Sequence, residues 1–456
     1  MAIYVIGGGL AGCEAAYQLA KRNIHVCLVE MKPEHYTPAH HSQDLGELVC
    51  SNSLKSEDPE TGSGLLKAEM RRLGSLLVEC AEATRVPAGG ALAVDRTAFA
   101  ALVTQRIDAM PPIKRITKEI HTLSEIADLD DCDGIVVATG PLTSEPLAQD
   151  IASMLGLTRL SFYDAAAPLV YAESIDPDKS FRAARYGKGT ADYINCPMTK
   201  EEYTVFYDAL ISGACADVKD FDEKCVYEGC MPVEVMARRG SDTLRYGPLK
   251  PVGLRHPETG ESYYAVVQLR QDNTEGTLYN IVGFQTRLKF GEQKRIFGLI
   301  PALANAEYAR YGVMHRNTYL QSPGILSNTF MVLPNKNPLS CPIFFAGQIT
   351  GVEGYMESAS SGLLAGLNAW AVCLGNTPIE LPASTMIGAL AAYVSGYSGG
   401  DFQPMGANFG ILASPELAQI RLIRDKKQRK QAISQMALRD LNRLLYSRLD
   451  FFDELK

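Results

Sequence analysis

The chain has 456 residues, of which 21% are charged and 46% hydrophobic, and its formal net charge is −8. A chain of this length exceeds one ordinary core, so two domains, or one domain with a large insertion, are expected. No run of residues is long and apolar enough to span a bilayer, and the first residues lack the basic region of a leader. We therefore predict a cytoplasmic protein with no membrane partner.

The eleven cysteines include no C-x-x-C pair. Their spacing argues against structural zinc and against a dithiol redox centre, and they are too few in a chain of this length for a disulfide scaffold. We predict no metal site. Most of these cysteines are expected to be buried thiols that behave as small apolar side chains.

The N-terminal segment predicts a dinucleotide site. An apolar strand over residues 3–6 runs into the glycine fingerprint Gly7-x-Gly9-x-x-Gly12, a helical pattern follows, and a second strand ends in Glu30. This strand–turn–helix–strand order places a pyrophosphate at the helix N-terminus and a carboxylate at the adenosine ribose. The cofactor-binding residues predicted in this segment are Gly7, Gly8, Gly9, Leu10, Ala11, Gly12 and Glu30.

Two later segments favour FAD over NAD. CDGIVVATGPLT (132–143) and CPIFFAGQITGVEGYMESASSGLLAGLNAW (341–370) each carry an apolar strand and a glycine-containing loop, and they resemble flavoproteins with two dinucleotide-binding motifs. Gln348 stands where that class often has Asp. No second G-x-G-x-x-G follows a strand, so a dedicated NADPH domain is not expected. The cofactor-binding residues predicted here are Thr139, Gly140, Gly347, Gln348, Gly354 and Tyr355.

These segments lie towards opposite ends of the chain, so the expected architecture is one FAD domain interrupted by an insertion. We predict an α/β fold, namely a glutathione-reductase-type FAD-binding Rossmann domain with an inserted α/β domain. Residues 1–190 form its first part, residues 191–308 form the insertion on the substrate side, and residues 309–456 form its second part with a basic C-terminal helical tail.

Two cysteines lie among turn-forming residues rather than in a helix or strand pattern. Cys50 lies in ELVCSNSLKS, and Cys230 lies between a glycine and a Met-Pro pair in VYEGCMPVE. Taken alone, each is more often an inert buried thiol than a reactive one. The alternative is a nucleophile held on an exposed bend, which needs a lowered pKa or a neighbouring base.

Eight motifs of the chain together resemble the folate- and FAD-dependent tRNA (uracil-5-)-methyltransferases, the TrmFO family. They are GGGLAGCEAA, TPAHH, ELVCSNSLKS, ATGPLT, EGCMPVE, RYGPLKPVGL, YGVMHRNTYL and FFAGQITGVEGYMESA. The resemblance covers residue 1 to about residue 410, and the motifs around Cys50 and Cys230 are specific to that family.

The resemblance implies methylation of uridine C5 in the tRNA T-loop. Methylenetetrahydrofolate supplies the carbon, reduced FAD supplies the electrons, and NADPH or NADH regenerates the flavin. Both Cys50 and Cys230 match functional cysteines of the family and are predicted to be catalytic. Cys230 is the expected nucleophile at uracil C6 and Cys50 the expected base, shield or second thiol, although the sequence leaves the assignment open. The resemblance implies tRNA and folate as partners and no protein partner.

Other residues carry weaker expectations. A local basic surface is needed for RNA in an acidic protein, and three runs qualify. These runs are 181–189, the group Arg238, Arg239, Arg245 and Lys250, and 421–430. The candidate lining residues of the flavin or folate pocket are His40, His41, Lys55, Tyr355, Glu357, His315 and Arg316. Three rival functions remain, namely the same chemistry on a ribosomal RNA uridine, a non-catalytic FAD-containing tRNA-binding protein, and a plain flavin electron carrier with no RNA role.

Overall fold

The computed structural model of the chain describes residues 2–157, 160–187, 189–216, 231–399 and 402–448. The strands are β1 Ala2–Ile6, β2 His25–Glu30, β3 Ser53–Ser56, β4 Arg85–Val86, β5 Ala91–Val94, β6 Ile113–Thr117, β7 Cys132–Val137, β8 Leu160–Ala165, β9 Leu169–Tyr171, β10 Phe181–Arg182, β11 Ile194–Met198, β12 Ala265–Gln271, β13 Leu278–Ile281, β14 Tyr308–Arg310, β15 Met314–Tyr319 and β16 Ile343–Phe345. The helices are α1 Leu10–Ala20, α2 Gly62–Arg72, α3 Leu76–Ala83, α4 Arg96–Asp108, α5 Ser124–Ala127, α6 Glu145–Leu155, α7 Lys200–Ser212, α8 Val233–Arg238, α9 Thr243–Tyr246, α10 Phe290–Phe297, α11 Tyr355–Cys373, α12 Met386–Gly396, α13 Leu417–Ile420 and α14 Lys426–Ser447.

A five-stranded parallel sheet organises both ends of the chain. Its strand order is β16-β7-β1-β2-β6, which is the Rossmann order in which the chain reverses direction beside the first strand. Every residue of β1 is buried, because helices cover both faces of a parallel sheet and leave no wet side. The strand β16 comes from the last third of the chain, so the sheet closes only when the second part of this unit folds back.

Helices α1 and α11 cross at very short range over this sheet. A side chain at Gly362 would place its Cβ 2.1 Å from the Ala11 carbonyl oxygen, and one at Gly366 would lie 2.8 Å from the Ala15 carbonyl oxygen. Small residues at these two positions therefore let the helix backbones touch. This contact brings the N-termini of α1 and α11 to the same edge of the sheet.

A second, antiparallel sheet of six strands forms the inserted unit, in the order β10-β11-β12-β13-β9-β14. It has a hydrophobic core of its own, in which Phe206, Phe284 and Phe297 are fully buried. In chain order, the first strand of this sheet is Leu169–Tyr171 and the last is Tyr308–Arg310. The sheet therefore includes strands from both sides of the predicted 191–308 insertion. The predicted fold class, a Rossmann domain with an inserted α/β unit, is confirmed.

The chain passes twice between the Rossmann unit and the inserted unit. Strands β8 and β15 pair antiparallel where the chain leaves and re-enters the Rossmann unit. A three-stranded sheet of β3, β5 and β4 lies in the first part of the chain, just after Cys50.

Within the described ranges, no helix is both long and apolar enough to cross a membrane.

Candidate active site

A cleft of about 1120 Å³, its open mouth included, lies along one edge of the parallel sheet. Five of the segments that line it are 6–11, 29–32, 118–120, 138–144 and 347–348. Each of these segments lies at the carboxyl end of a parallel strand or directly after it. The cleft is therefore the crevice in which open α/β sheets bind their ligands.

The glycine fingerprint forms the floor of this cleft. Gly7 has a φ of +105°, and a Cβ there would lie 2.6 Å from the Ala138 carbonyl oxygen. A Cβ at Gly12 would lie 1.8 Å from the Gly7 carbonyl oxygen, so Gly12 lets α1 pack against the turn rather than line the cleft. A Cβ at Gly9 meets no atom within 4 Å, because Gly9 faces open space at the start of α1.

Glu30 closes the adenosine side of the cleft. Its Oε2 accepts a hydrogen bond from the Gly8 N–H at 2.6 Å, and its Oε1 accepts one from the Lys32 N–H at 3.0 Å. Each carboxylate oxygen retains a lone pair for a ribose hydroxyl. Glu30 thus holds the fingerprint turn in place and still faces the cleft.

The opposite wall comes from the loops after β7 and β16. Gly140 has a φ of +68° and open space at its Cβ position, while Thr139 and Thr143 share a hydrogen bond of 2.7 Å. The Gly347 N–H donates to Ser361 Oγ at 2.7 Å. Gln348 lines the cleft but donates its amide to Glu353 Oε2 at 2.6 Å, which fixes the side chain that replaces the usual Asp.

These residues fit FAD. The open position at Gly9 and the N-terminus of α1 form a cradle with unpaired N–H groups for a pyrophosphate. Glu30 provides the acceptor for a ribose, and the N-terminus of α11 reaches the far end of the same cleft through Tyr355 and Ser358. Of the predicted cofactor-binding residues, Gly12 and Gly354 do not line the cleft.

The loop that carries Cys50 lies at that far end. Val49 and Tyr355 both line the cleft, and Tyr355 Oη accepts hydrogen bonds from the Cys50 N–H at 2.8 Å and the Ser51 N–H at 3.1 Å. Burial raises the pKa of Tyr355 well above its ordinary value, so the phenol stays protonated. Cys50 is a partly buried thiol beside the cleft.

Three arginines hold the same loop from outside. Arg310 donates to the Val49 carbonyl at 3.1 Å, and Arg96 donates to the Leu48 carbonyl at 3.4 Å. Arg270 donates from Nε to Asn52 Oδ1 at 3.0 Å and from Nη2 to Ser51 Oγ at 2.8 Å. Arg270 and Arg310 belong to the inserted sheet, so both units build this loop. The sequence analysis missed all three arginines, because none lies in a motif.

Lys55 and Glu357 form an ion pair near the start of α11. Lys55 Nζ lies 2.8 Å from Glu357 Oε1, and the Glu357 side chain is 1% exposed whereas that of Lys55 is 49% exposed. Glu357 also accepts from the Ala407 N–H at 3.0 Å. A side chain at Gly354, where φ is +127°, would clash with Glu357 Oε2. Lys55 therefore neutralises a buried carboxylate, a structural role that stands beside the predicted phosphate or folate contact.

The two candidate histidines differ in position. His40 lines the cleft, its Nδ1 lies 2.6 Å from Thr37 Oγ1, and burial lowers its pKa. His41 is exposed, and its backbone N–H donates to Glu47. Glu47 and Lys32 also line the cleft and lie 3.6 Å apart. They follow β2 in the chain, a position that marks ligand-contacting residues in such folds.

Cys230 lies outside the described residues, but both flanks of its segment are described. The Ala216 N–H donates to the Arg287 carbonyl at 2.8 Å, and the Val233 N–H donates to the Gln285 carbonyl at 2.7 Å. The two ends of the segment therefore meet on one stretch of chain. His315 and Arg316 lie in β15, which pairs with β8.

Two of the predicted basic runs adjoin each other on the inserted unit. Arg185 donates to the carbonyls of Lys250 and Val252, and exposed Tyr186 and Tyr246 accompany them. These contacts occupy N–H groups of the Arg185 guanidinium with neutral acceptors inside the protein, although its positive charge remains. The third run, 421–430, lies apart at the start of α14.

Comparisons with known proteins agree with this geometry. The family model described as GIDA, glucose inhibited division protein A, matches residues 2–377. Two solved structures of Aquifex aeolicus GidA share the fold, with TM-scores of 0.66 and 0.65 at 14% and 16% identity. They cover 97% and 99% of this chain and 73% and 78% of their own.

Curated relatives are far more similar in sequence. A protein of Acetivibrio thermocellus, named methylenetetrahydrofolate–tRNA-(uracil-5-)-methyltransferase TrmFO, is 57% identical over 440 residues, which are 96% of this chain and 97% of that protein. A protein of the same name from Lactiplantibacillus plantarum is 52% identical over 440 residues, 96% of each chain. Identity at this level along nearly the whole length shows that the chain belongs to the TrmFO family, within the wider GidA group.

Proposed function

We propose that this protein methylates C5 of a uridine in the T-loop of tRNA, in the cytoplasm, with methylenetetrahydrofolate as the carbon donor and reduced FAD as the reductant. The observation that carries the proposal is the junction of the FAD cleft with the Cys50 loop through Val49 and Tyr355. A nucleotide cleft alone fits many flavoproteins. A cysteine built onto its far end fits a reaction in which a thiol and a flavin act on one substrate.

The chemistry explains why cysteines are needed. C5 of uracil is a weak carbon nucleophile, and attack of a thiolate at C6 moves the electrons of the C5–C6 double bond towards C5 and O4. C5 then bonds to the one-carbon unit and loses its proton to a base as the one-carbon unit breaks its bond to the folate nitrogen, which leaves an exocyclic methylene on C5. Addition of a hydride to that methylene gives the methyl group and restores the C5–C6 double bond as the thiolate leaves C6. When bound, FAD supplies the two electrons that turn the transferred methylene into a methyl group, and NADPH or NADH renews them.

The cysteines divide this work between them. Cys230 Sγ forms the bond to C6, since the described residues on both sides of its segment, Ala216 and Val233, hydrogen-bond within the inserted unit that offers the basic surface. Cys50 Sγ takes the proton from C5, since its loop lies at the end of the cleft lined by Val49 and Tyr355. Tyr355 accepts a hydrogen bond from the Cys50 N–H and so holds the backbone that carries the thiol. The uracil reaches these groups only when it is turned out of the T-loop stack.

The tRNA lies across the basic and aromatic surface of the inserted unit. That surface includes Arg238, Arg239, Lys250 and the exposed Tyr246, which is 82% exposed. Lysine and arginine neutralise phosphates, and exposed aromatic rings stack on unpaired bases. An acidic protein binds RNA through such a local patch, so the overall charge of −8 is no obstacle.

The experiment uses purified protein whose visible spectrum is recorded first. The protein is incubated with unmodified tRNA transcript, methylenetetrahydrofolate and NADPH, and the digested RNA is analysed by mass spectrometry. We expect 5-methyluridine that depends on folate and vanishes in Cys230→Ala and Cys50→Ala. A transcript whose T-loop uridine is replaced by cytidine is the matched control and should stay unmodified. Product from ribosomal RNA alone, or RNA binding without any product, would contradict the proposal.

A further inference from the structure

The guanidinium of Arg310 is held beside Cys50 with part of its hydrogen-bonding capacity unused. Its Nη1 donates to the carbonyl of Val49, which is one peptide unit from Cys50. Its Nε and Nη2 are buried, and among the described residues neither has a hydrogen-bond partner. A buried charged donor without an acceptor is costly, so it calls for an explanation such as a nearby anionic group or a bound ion.

The surroundings of the loop carry excess positive charge. Arg96 from α4, Arg270 from β12 and Arg310 from β14 all contact the loop, and Asp272 is the carboxylate that faces them. Asp272 is engaged by Arg96 at 2.6 Å, while Arg270 donates to the neutral side chains Asn52 and Ser51. Of these four described charged side chains, three are guanidiniums and one is a carboxylate, so the group carries an excess of two positive charges.

The other groups that face Cys50 do not cancel this excess. Tyr355 from α11 is a neutral phenol, and Lys55 and Glu357 neutralise each other. Burial lowers the pKa of Arg310 to about 10, so it remains charged at neutral pH but pays for its lost hydration. Cys50 is itself among the groups whose negative charge favours the charged guanidinium.

We propose that Arg310 is a positioning residue that holds Cys50 as a thiolate, with its Nε–H and Nη2–H groups directed to the sulfur side of the loop. The Cys50 proton leaves to water, and the thiolate that remains is the base that accepts the C5 proton. The inference rests on the role of Cys50 in the proposed function and extends it to the residue that sets the charge of that thiol.

The test measures the charge state of Cys50 directly in the FAD-loaded full-length protein. Alkylation by iodoacetamide is followed from pH 5 to pH 10, and the Cys50 peptide is quantified by mass spectrometry, which separates it from the other ten thiols. An ordinary thiol titrates near pH 8.5, so we expect a midpoint below about 7.5 for Cys50 in the wild type. A wild-type midpoint at or above the ordinary value overturns the proposal without any variant.

The variant Arg310→Met removes the charge and keeps an apolar stem. We expect its Cys50 midpoint to rise by about one to three pH units, because that is the usual effect of an opposite charge nearby. Arg310→Lys should recover part of the shift. Arg295→Met is the matched control, since Arg295 lies in the same inserted unit and is paired on the surface with Glu292. Thermal unfolding and flavin absorbance verify that each variant is folded.

Superimposed profiles for wild type and Arg310→Met would overturn the proposal even if methylation were lost, because the arginine would then be structural only. A shift of equal size in Arg295→Met would overturn it too. The profile does not depend on turnover. Wild-type protein that forms no 5-methyluridine but shows a depressed, Arg310-dependent midpoint would sink the proposed function and the role of Cys50 as the C5 base, while the control of the Cys50 charge by Arg310 would stand.

Discussion

The hydroxyl of Tyr355 accepts the backbone N–H of Cys50 at 2.8 Å, across 305 positions of sequence. The same oxygen accepts the Ser51 N–H at 3.1 Å, so a side chain from the first turn of α11 satisfies two consecutive donors of the loop. This contact ties the part of the chain that holds the flavin to the part that carries the thiol.

Tyr355→Phe removes this acceptor and leaves two backbone N–H groups without it. We expect a loss of about 1–3 kcal/mol in the free energy of unfolding, which is the usual penalty for an unsatisfied buried donor. Methylation should fall more than flavin binding, because the ring still lines the cleft. Denaturant unfolding, flavin absorbance and turnover measure the three effects. Tyr397→Phe is the control, since its hydroxyl donates to the Gly399 carbonyl at the surface, and equal losses in both variants would refute the role of Tyr355.

Gly9→Ala and Gly12→Ala separate binding from folding within one fingerprint. The new methyl at position 9 points into open space, so the protein should fold normally and lose flavin, with little absorbance near 450 nm after purification. The methyl at position 12 would lie 1.8 Å from the Gly7 carbonyl oxygen, so that variant should unfold at a lower temperature. Normal flavin content in Gly9→Ala would show that no phosphate approaches the turn there.

Lys55→Met leaves the buried Glu357 carboxylate without its cation. The expected loss of stability lies between about 1 kcal/mol for an exposed pair and about 3–5 kcal/mol for a buried one, since only Glu357 is buried. The double variant Lys55→Met/Glu357→Gln should recover much of this loss. If the single variant instead keeps its stability and raises the KM for methylenetetrahydrofolate tenfold or more, Lys55 contacts folate and the structural role is secondary.

The free energy of unfolding is expected to depend on pH through the buried carboxyl of Glu69. Burial raises its pKa to about 8, although its carboxylate accepts from the Met386 and Ile387 N–H groups at the start of α12. The folded state therefore binds this proton more tightly than the unfolded state, whose pKa is near 4.5. The stabilisation is fully present below about pH 4.5 and declines as the pH rises towards 8.

Glu69→Gln cannot titrate, so the difference in unfolding free energy between wild type and variant should change steadily from pH 5 to pH 8. Chemical unfolding at several pH values measures this difference. Glu201→Gln, on the exposed first turn of α7, should give a difference that stays flat. A flat difference for Glu69→Gln would show that its carboxyl is not proton-linked to folding.

Most of the Rossmann unit could be predicted from local sequence patterns. Gly7 needs a backbone conformation, and Gly12 a close approach, that only glycine allows, while Gly9 leaves open space beside the turn, so their spacing predicts three-dimensional structure directly. The cleft residues 118–120 show the limit of such patterns. They become lining residues because β6 is the neighbour of β2, and strand order is not written in a local motif.

The surroundings of Cys50 could not be predicted from the sequence either, because they too depend on residues that are far apart in the chain. Arg270 and Arg310 lie more than 200 positions from the loop that they hold, and each is a single arginine in an unremarkable strand. The strands β9 and β10 precede position 191 yet pair in the inserted sheet. Elements of three and two residues are too short for an alternating pattern, so only the fold reveals them.

The Cys50 loop is fastened to both units at once, by Tyr355 and Arg96 on one side and by Arg270 and Arg310 on the other. Because these contacts come from both units, a rotation of the inserted unit about the β8–β15 connection would change several of these hydrogen bonds at once. If RNA docks on the inserted unit as we propose, its binding would act on the same few side chains that hold the Cys50 loop. The loop would then link the position of a large bound RNA to the geometry of a single thiol, and the link would act in both directions.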